Sequence, residues 1–209
     1  MIATTLGVSS CKKEKSTTIV VPVPTISMEI LGPKVISLSA GSPFVDTYGA
    51  NFHNEFGGID FIPTATKTNL DLANVGFYSS TYTGKTQYGY TASANRLVLL
   101  SSASATEDFS GVYTRTSNSQ TVTVTKEGPG LYKIDNVGGV PGNPSYIFDI
   151  YFGKINTDST IVVPTQISPL DGGNIRCDTA CIKIVGPDTI LRWNVIGGGF
   201  GDQKRIFKK

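Results

Sequence analysis

Short runs of alternating apolar and polar residues follow one another along most of the chain after residue 25. Residues 26–30 alternate before a turn at Gly32-Pro33, and residues 120–126 alternate before a Gly-Pro-Gly turn from which residues 131–134 return as a hairpin. A period of two residues is typical of strands with one buried face, and Gly and Pro mark the turns between strands. No stretch repeats apolar residues at helical spacing over several turns. The pattern predicts an all-β protein.

A serine-rich junction at residues 101–106 separates two series of predicted strands. The first series predicts an immunoglobulin-like β-sandwich over residues 26–102. The second series, about eight strands joined mostly by short turns, predicts a small antiparallel β-barrel or sandwich over residues 104–209. Residues 1–25 precede both predicted domains and have a different composition, which is considered separately below.

Composition narrows the function classes without naming one. Hydrophobic residues make up 39% of the chain and charged residues 16%, which is typical of a packed core rather than of disorder. The net charge is only +2 and there is a single histidine, so the sequence lacks the basic footprint of a nucleic-acid-binding protein. The tail at residues 204–209 mixes bases with hydrophobic residues and predicts a last strand with a solvated, charged face.

The first ten residues are apolar or small, and they end at Cys11, which lysines follow at once. The segment Val8-Ser9-Ser10-Cys11 resembles a bacterial lipobox, in which the cysteine is acylated and becomes the mature N-terminus. Because a basic segment before the apolar stretch is missing, we expect translation to start further upstream. The alternative is an ordinary tail with a stray cysteine.

If Cys11 carries a lipid, the protein is anchored to a membrane without crossing it. No segment approaches the ~18 apolar residues that are needed to span a bilayer. Residues 12–24 then act as a tether, and Pro22 and Pro24 stiffen its end toward polyproline II. Residues 1–25 are therefore predicted to be a lipoprotein signal remnant and a tether.

The remaining cysteines, Cys177 and Cys181, lie four positions apart in the second domain. An exported protein meets an oxidising compartment, so a small disulfide between them is one prediction. A metal site is the alternative, but it needs further ligands, and the only histidine, His53, lies in the other half of the chain. We predict neither a metal nor a cofactor.

Residues 36–52 and 71–100 resemble the bacterial immunoglobulin-like domains of surface proteins. The family pattern is an extended strand, a Gly-Ser-Pro turn with an Asp and a Gly after it, a variable middle, and a pair of tyrosine-rich strands with a late arginine. The matching positions in this sequence are Gly41, Pro43, Asp46, Gly49, Gly76, Tyr78, Tyr82, Gly89 and Arg96. The resemblance implies a spacer and interaction module without an activity of its own.

The second half of the chain, from Gly111 onward, resembles the C-terminal domain of small two-domain lipoproteins of Bacteroidetes. In those proteins, too, the domain follows a lipobox and an immunoglobulin-like domain. They resemble accessory subunits of SusC/SusD-type nutrient uptake systems. The resemblance implies an anchor in the outer membrane, exposure at the cell surface, SusC/SusD-like partners, and a glycan or peptide as ligand.

Three aromatic residues are candidates for contact with such a ligand. Phe200 is flanked by glycines in the loop at residues 197–202, so it is the best candidate for an exposed aromatic side chain. Tyr151 and Trp193 are the other two. Trp193, however, shares a strand face with Leu191 and Val195, which also favours a place in the core.

The sequence gives little support to an enzyme. His53 has no nucleophile motif such as G-x-S-x-G near it, and the aspartates of the second domain fall mostly in turns, where Asp is common. We therefore expect a non-catalytic protein that binds a nutrient ligand or scaffolds an uptake complex. The alternatives are a structural stalk or adhesin subunit and, with less support, a carboxylate-dependent glycan hydrolase.

Overall fold

A computed structural model describes residues 25–54, 58–102, 107–156 and 158–209. The described residues form fifteen β-strands and one short 3-10 helix at Pro144–Tyr146, so the all-β prediction is confirmed. The first seven strands are β1 (Ile26–Ile30), β2 (Val35–Ser39), β3 (Ala50–Asn54), β4 (Gly58–Ile62), β5 (Lys67–Thr68), β6 (Gly76–Lys85) and β7 (Thr91–Ser101). The other eight are β8 (Gly111–Arg115), β9 (Thr121–Gly128), β10 (Leu131–Ile134), β11 (Ile150–Lys154), β12 (Ile161–Ile167), β13 (Asn174–Val185), β14 (Asp188–Gly197) and β15 (Asp202–Lys208).

Strands β1 to β7 form a sandwich of two sheets. One sheet has the order β1-β3-β4 and the other the order β2-β7-β6-β5, with β2 parallel to β7 and the remaining pairs antiparallel. Phe52 from the first sheet and Tyr82 and Val98 from the second are buried between them. Gly84 faces the Phe52 ring so closely that a Cβ atom would overlap it, which explains a glycine inside a strand.

An ion pair is buried inside the sandwich. The Arg96 Nε atom lies 2.6 Å from the Asp46 carboxylate, with the two side chains 0% and 7% exposed. Arg96 also donates hydrogen bonds to the backbone carbonyls of Leu31, at 2.7 Å, and Gly49, at 3.2 Å. The Tyr82 hydroxyl donates to the same carboxylate. Four positions of the surface-domain pattern, at residues 46, 49, 82 and 96, therefore meet in one polar cluster.

Strands β8 to β15 form a closed antiparallel barrel, in which β8 pairs with both β9 and β15. An eight-stranded barrel is just wide enough for inward side chains to fill it. Here the rings of Tyr132 and Phe152 stack with centroids 5.4 Å apart, and Trp193 packs edge-on between Phe152, at 5.6 Å, and Phe207, at 5.8 Å. The barrel interior is thus a packed core rather than a channel.

The sandwich packs against the side of the barrel. Val35 and Leu99 of the sandwich form a buried cluster with Leu131 of the barrel. Gly153 on β11 lies flat against Leu99, and a Cβ atom there would come within 2.8 Å of it. The Ser102 N–H donates to the Ile155 carbonyl, at 3.0 Å, just before the junction. This contact creates the groove described below.

Three further sequence predictions need comment. The sequence predicts a strand over residues 146–152, but this strand, β11, starts at Ile150, because Pro144 and the Asn143 side-chain cap form a 3-10 turn before it. Arg205 on β15 is buried rather than solvated. The predicted lipidation site Cys11 and the tether lie outside the described residues and remain predictions. No helix in the described part of the chain is long and apolar enough to cross a membrane.

Candidate functional site

The glycine-rich loop between β14 and β15 folds back over one end of the barrel. The Gly197 N–H donates to the Gly201 carbonyl, at 3.0 Å, and positive φ angles at these glycines allow the tight reversal. Phe200 is consequently only 6% exposed, and its ring packs against Tyr146, at 5.1 Å, and Phe148, at 6.0 Å. The expectation that Phe200 is exposed is wrong, because it covers the end of the barrel.

Trp193 also lies in the core. It is 1% exposed, and its indole Nε1–H donates to the Val137 carbonyl, at 3.0 Å. Its strand neighbours Leu191 and Val195 are buried with it, as their shared face predicts. The ring faces of Trp193 therefore contact other core side chains and offer no stacking surface to a ligand.

Of the three predicted binding aromatics, Tyr151 is the one whose side chain is not buried. It is half-buried in a groove of about 670 Å³ between the sandwich and the barrel. A volume of this size is within the usual range for small-ligand sites, roughly 300–1,000 Å³. The groove is lined by Lys34, Val35, Ser79, Asn95, Leu97, Phe148, Asp149, Tyr151, Thr165, Gln166, Ile167, Pro169 and Asn174.

Strand register explains the sandwich wall of this groove. Val35 lies opposite Leu97, and Leu97 lies opposite Ser79, so these side chains form one row across β2, β7 and β6. The same sheet face contacts the barrel further along, at Leu99 and Phe77. The groove opens where this face diverges from the barrel, beyond that contact.

Gln166 fixes the position of Tyr151 on the barrel wall. β11 and β12 are paired at Gly153–Val162 and Lys154–Ile161, and Tyr151 lies beyond this short ladder. The Gln166 side chain accepts from the Tyr151 N–H, at 3.0 Å, and donates to the Tyr151 carbonyl, at 2.9 Å. A side-chain amide thus replaces the missing backbone partner, because the backbone groups of Tyr151 would otherwise be unsatisfied.

Several polar groups in the groove have unused hydrogen-bonding capacity. The hydroxyls of Ser79, Thr165 and Tyr151 and the amide of Asn174 form no hydrogen bond with the described part of the chain. Burial raises the pKa of the Tyr151 phenol, so this hydroxyl remains protonated and able to donate at neutral pH. The site therefore combines an aromatic ring and apolar walls with neutral donors and acceptors.

The two cysteines lie on opposite faces of β13 as free thiols. Cys177 is in the barrel core, where burial, with a smaller effect of Asp178, raises the pKa of its thiol to about 12. A bulge after Asp178, with a positive φ at Thr179, turns Cys181 to the outside, where its sulfur accepts from Arg192 Nε at 2.9 Å. The disulfide remains a prediction, and it would require this bulge to rearrange.

His53 lies on β3, where its Nε2 atom is 3.1 Å from the Glu29 carboxylate on the neighbouring strand. It is therefore part of the sandwich surface and does not line the groove. Among the residues that the structure describes, no group of three His, Cys, Asp or Glu side chains is arranged to hold a metal ion.

The fold defines an all-β class of protein, in which a two-sheet sandwich packs against a closed eight-stranded barrel. Among solved structures, the chain is similar to the lipoprotein BT2262 from Bacteroides thetaiotaomicron, with 23% identity, a TM-score of 0.40, and coverage of 88% of this chain and 100% of that one. Because the TM-score is so low, this likeness does not indicate what the chain does. No family model and no curated protein sequence matches the chain.

Proposed function

We propose that the protein is a non-catalytic lipoprotein, anchored to the outer membrane through Cys11 at the cell surface, that binds a neutral oligosaccharide in the groove beside Tyr151. The observation that supports the binding role is the lining of the groove. A sugar presents apolar C–H faces that pack on aromatic rings, and hydroxyls that pair with amides and hydroxyls. Tyr151 supplies the ring, while Ser79, Thr165 and Asn174 supply unused polar groups.

The charges in the groove favour a neutral ligand. Lys34 and Asp149 line it, one of each sign, and Asp149 already lies 3.1 Å from the Lys133 ammonium on the neighbouring strand. An acidic ligand would need a surplus of Lys or Arg side chains, which the lining lacks. A peptide ligand would instead use its backbone amides, so it remains the main competing outcome of a binding test.

The same lining supports a non-catalytic role. A glycosidase of the usual kind needs two carboxyl groups that flank the scissile bond, and Asp149 is the one carboxylate among the described groove residues. Two other aspartates of the barrel have separate partners: Asp178 pairs with Arg176 at 3.6 Å, and Asp188 pairs with Lys208 at 2.8 Å. The hydrolase alternative therefore lacks a second acid in this groove.

Replacing Tyr151 with alanine is expected to weaken oligosaccharide binding at least about tenfold, since a central aromatic contact usually dominates a small interface. Isothermal titration calorimetry of the Cys11→Ala protein, which lacks the lipid anchor, with a panel of neutral oligosaccharides measures this change in affinity. Tyr90→Ala is the matched control, because Tyr90 is a partly exposed tyrosine outside the groove. Saturable binding to peptides alone, or equal loss in both variants, would contradict the proposal.

The Cys11→Ala variant is expected to leave the membrane fraction, whereas the unaltered protein incorporates radiolabelled palmitate and sediments with the outer membrane. A lipid anchor of this kind depends entirely on the acylated cysteine. Ser9→Ala serves as a control that keeps a small residue before the cysteine. Identical fractionation of Cys11→Ala and the unaltered protein would exclude the anchor. A detergent pull-down from the same membranes tests whether the protein associates with the predicted SusC/SusD-like partners.

A further inference from the structure

Two arginines point into one end of the barrel, beneath the loop that links β10 to β11. Arg115 follows Tyr113 on the inward face of β8, and Arg205 precedes Phe207 on the inward face of β15. The Tyr113 and Phe207 rings are fully buried, and Arg205 itself is only 8% exposed. The two guanidinium groups therefore lie at the margin of an apolar core.

These two guanidinium groups have few partners. Arg115 Nη1 donates to the Gly138 and Gly139 carbonyls, both at 3.1 Å, while its Nε atom is buried without a hydrogen bond. The Nε atom of Arg205 is likewise buried without a hydrogen bond. The Arg205 side chain forms no hydrogen bond or ion pair with the described part of the chain. No described carboxylate pairs with either side chain.

This arrangement is costly without a negative charge nearby. Burial lowers the pKa of both arginines, and the positive charge of Arg115 lowers that of Arg205 further. Arginine is nevertheless too basic to lose its proton, so the charges persist. A buried charge that is not paired destabilises a protein, and two of the same sign repel each other. An anion placed between the two groups would reverse both effects.

We propose that Arg115 and Arg205 form an anion-binding site that takes an oxyanion, either a free phosphate or sulfate ion or the carboxylate of an acidic ligand. The planar guanidinium presents paired N–H donors that match two oxygens of such a group. Arg115 is already oriented by Gly138 and Gly139, and a Cβ atom at Gly139 would lie 2.8 Å from the Arg115 Cδ atom, so the loop fits closely around it. Neither arginine lines the groove beside Tyr151, so this site is independent of the proposed function.

The protein contains one tryptophan, which reports on this site directly. Trp193 lies opposite Arg205 in the register of β14 and β15. Binding of an anion at Arg205 is therefore expected to change the Trp193 fluorescence in a saturable manner. The titrations use sodium phosphate, sodium sulfate and sodium glucuronate with the full-length protein, at constant ionic strength maintained with sodium chloride.

We expect saturable binding to the unaltered protein and at least a tenfold weaker affinity in Arg205→Met, which keeps the apolar stem and removes the charge. Arg176→Met is the matched control, since Arg176 is an exposed arginine paired with Asp178. Arg115→Met, a second variant from the other strand, is expected to show the same loss and serves if Arg205→Met does not fold. Tighter binding of glucuronate than of phosphate and sulfate assigns the site to a ligand-borne carboxylate, and the reverse order assigns it to a free anion.

Without an oxyanion, Arg205→Met is expected to have a Tm equal to or above that of the unaltered protein, because the variant lacks the unpaired charge. Addition of the oxyanion is expected to raise the Tm of the unaltered protein and of Arg176→Met, but not that of Arg205→Met. The proposal is overturned if none of the three anions binds saturably. It is also overturned if Arg205→Met binds the anions as tightly as Arg176→Met and the unaltered protein do. Oligosaccharide binding at the groove, tested through Tyr151→Ala, is unaffected by either result.

Discussion

Replacing Asp46 with alanine is expected to lower the free energy of unfolding by about 3–5 kcal/mol, the usual cost of removing one partner of a buried ion pair. The variant leaves the Arg96 guanidinium inside the sandwich without its carboxylate. It also removes the acceptor of the Tyr82 hydroxyl and of the Tyr48 N–H, the latter at 3.0 Å. Urea unfolding followed by far-UV circular dichroism measures the loss.

Asp71→Ala is the matched control for this change. Asp71 also organises a turn, by accepting from the Ala73 N–H at 3.0 Å and from the Asn74 side chain at 2.7 Å, but it is exposed and has no ion pair. A surface change of this kind is expected to cost about 0.5 kcal/mol or less. Similar losses in both variants would show that the turn, and not the buried charge pair, accounts for the role of Asp46.

The stabilisation by Asp46 also has a defined pH dependence. Burial alone raises the pKa of this carboxyl, but the hydrogen bonds from Tyr82 and the Tyr48 N–H, together with the Arg96 charge, outweigh burial and hold the pKa below its ordinary value of 3.8. A carboxyl with a lowered folded-state pKa contributes fully above its unfolded pKa and loses this contribution as the pH falls through the folded value. The stability difference between Asp46→Ala and the unaltered protein should therefore be constant at neutral pH and shrink below pH 3.8.

The strands that the sequence predicts well are those with one buried face. In β9, and in β13 as far as the bulge after Asp178, the buried residues alternate with exposed ones, as a period of two requires. β4 was not predicted, because Ile59, Asp60 and Phe61 are all exposed on this edge strand and leave no alternation to detect. β5 is only two residues long, too short for any period. The pattern thus records burial rather than backbone pairing.

Sequence patterns also predict only part of the candidate sites. Tyr151 was a candidate from the sequence, but the groove beside it depends on contact between the sandwich and the barrel, and no local pattern encodes this contact. The alternation along β15 puts Arg205 on the same face as the buried Phe207 and so predicts that Arg205 is buried, whereas its charge favours exposure to solvent. Phe200 was misplaced because glycines with positive φ let a loop reverse direction, and side-chain periodicity does not apply there.

Replacing Phe200 with alanine is expected to cost about 3–5 kcal/mol, which is typical of removing a buried phenylalanine ring. The ring fills the space between Tyr146, Phe148 and Gly138 at the end of the barrel. Because Val137, next to Gly138, accepts the Trp193 indole hydrogen bond, the Trp193 emission should also shift to longer wavelength. Phe61→Ala, on the exposed face of β4, is the control and should leave both stability and emission nearly unchanged.

Gly138→Ala in combination with Phe200→Ala distinguishes a specific contact from general loss of packing. A Cβ atom at residue 138 would overlap the Phe200 ring, so Gly138→Ala should destabilise the unaltered protein. In the Phe200→Ala background the added methyl enters the space that the ring has left, and its cost should largely disappear. A coupling free energy of at least about 1 kcal/mol is therefore expected from the double-mutant cycle. Strict additivity of the two changes would show that Phe200 does not pack on the Gly138 loop, and that the two glycine-rich loops close the barrel independently of each other.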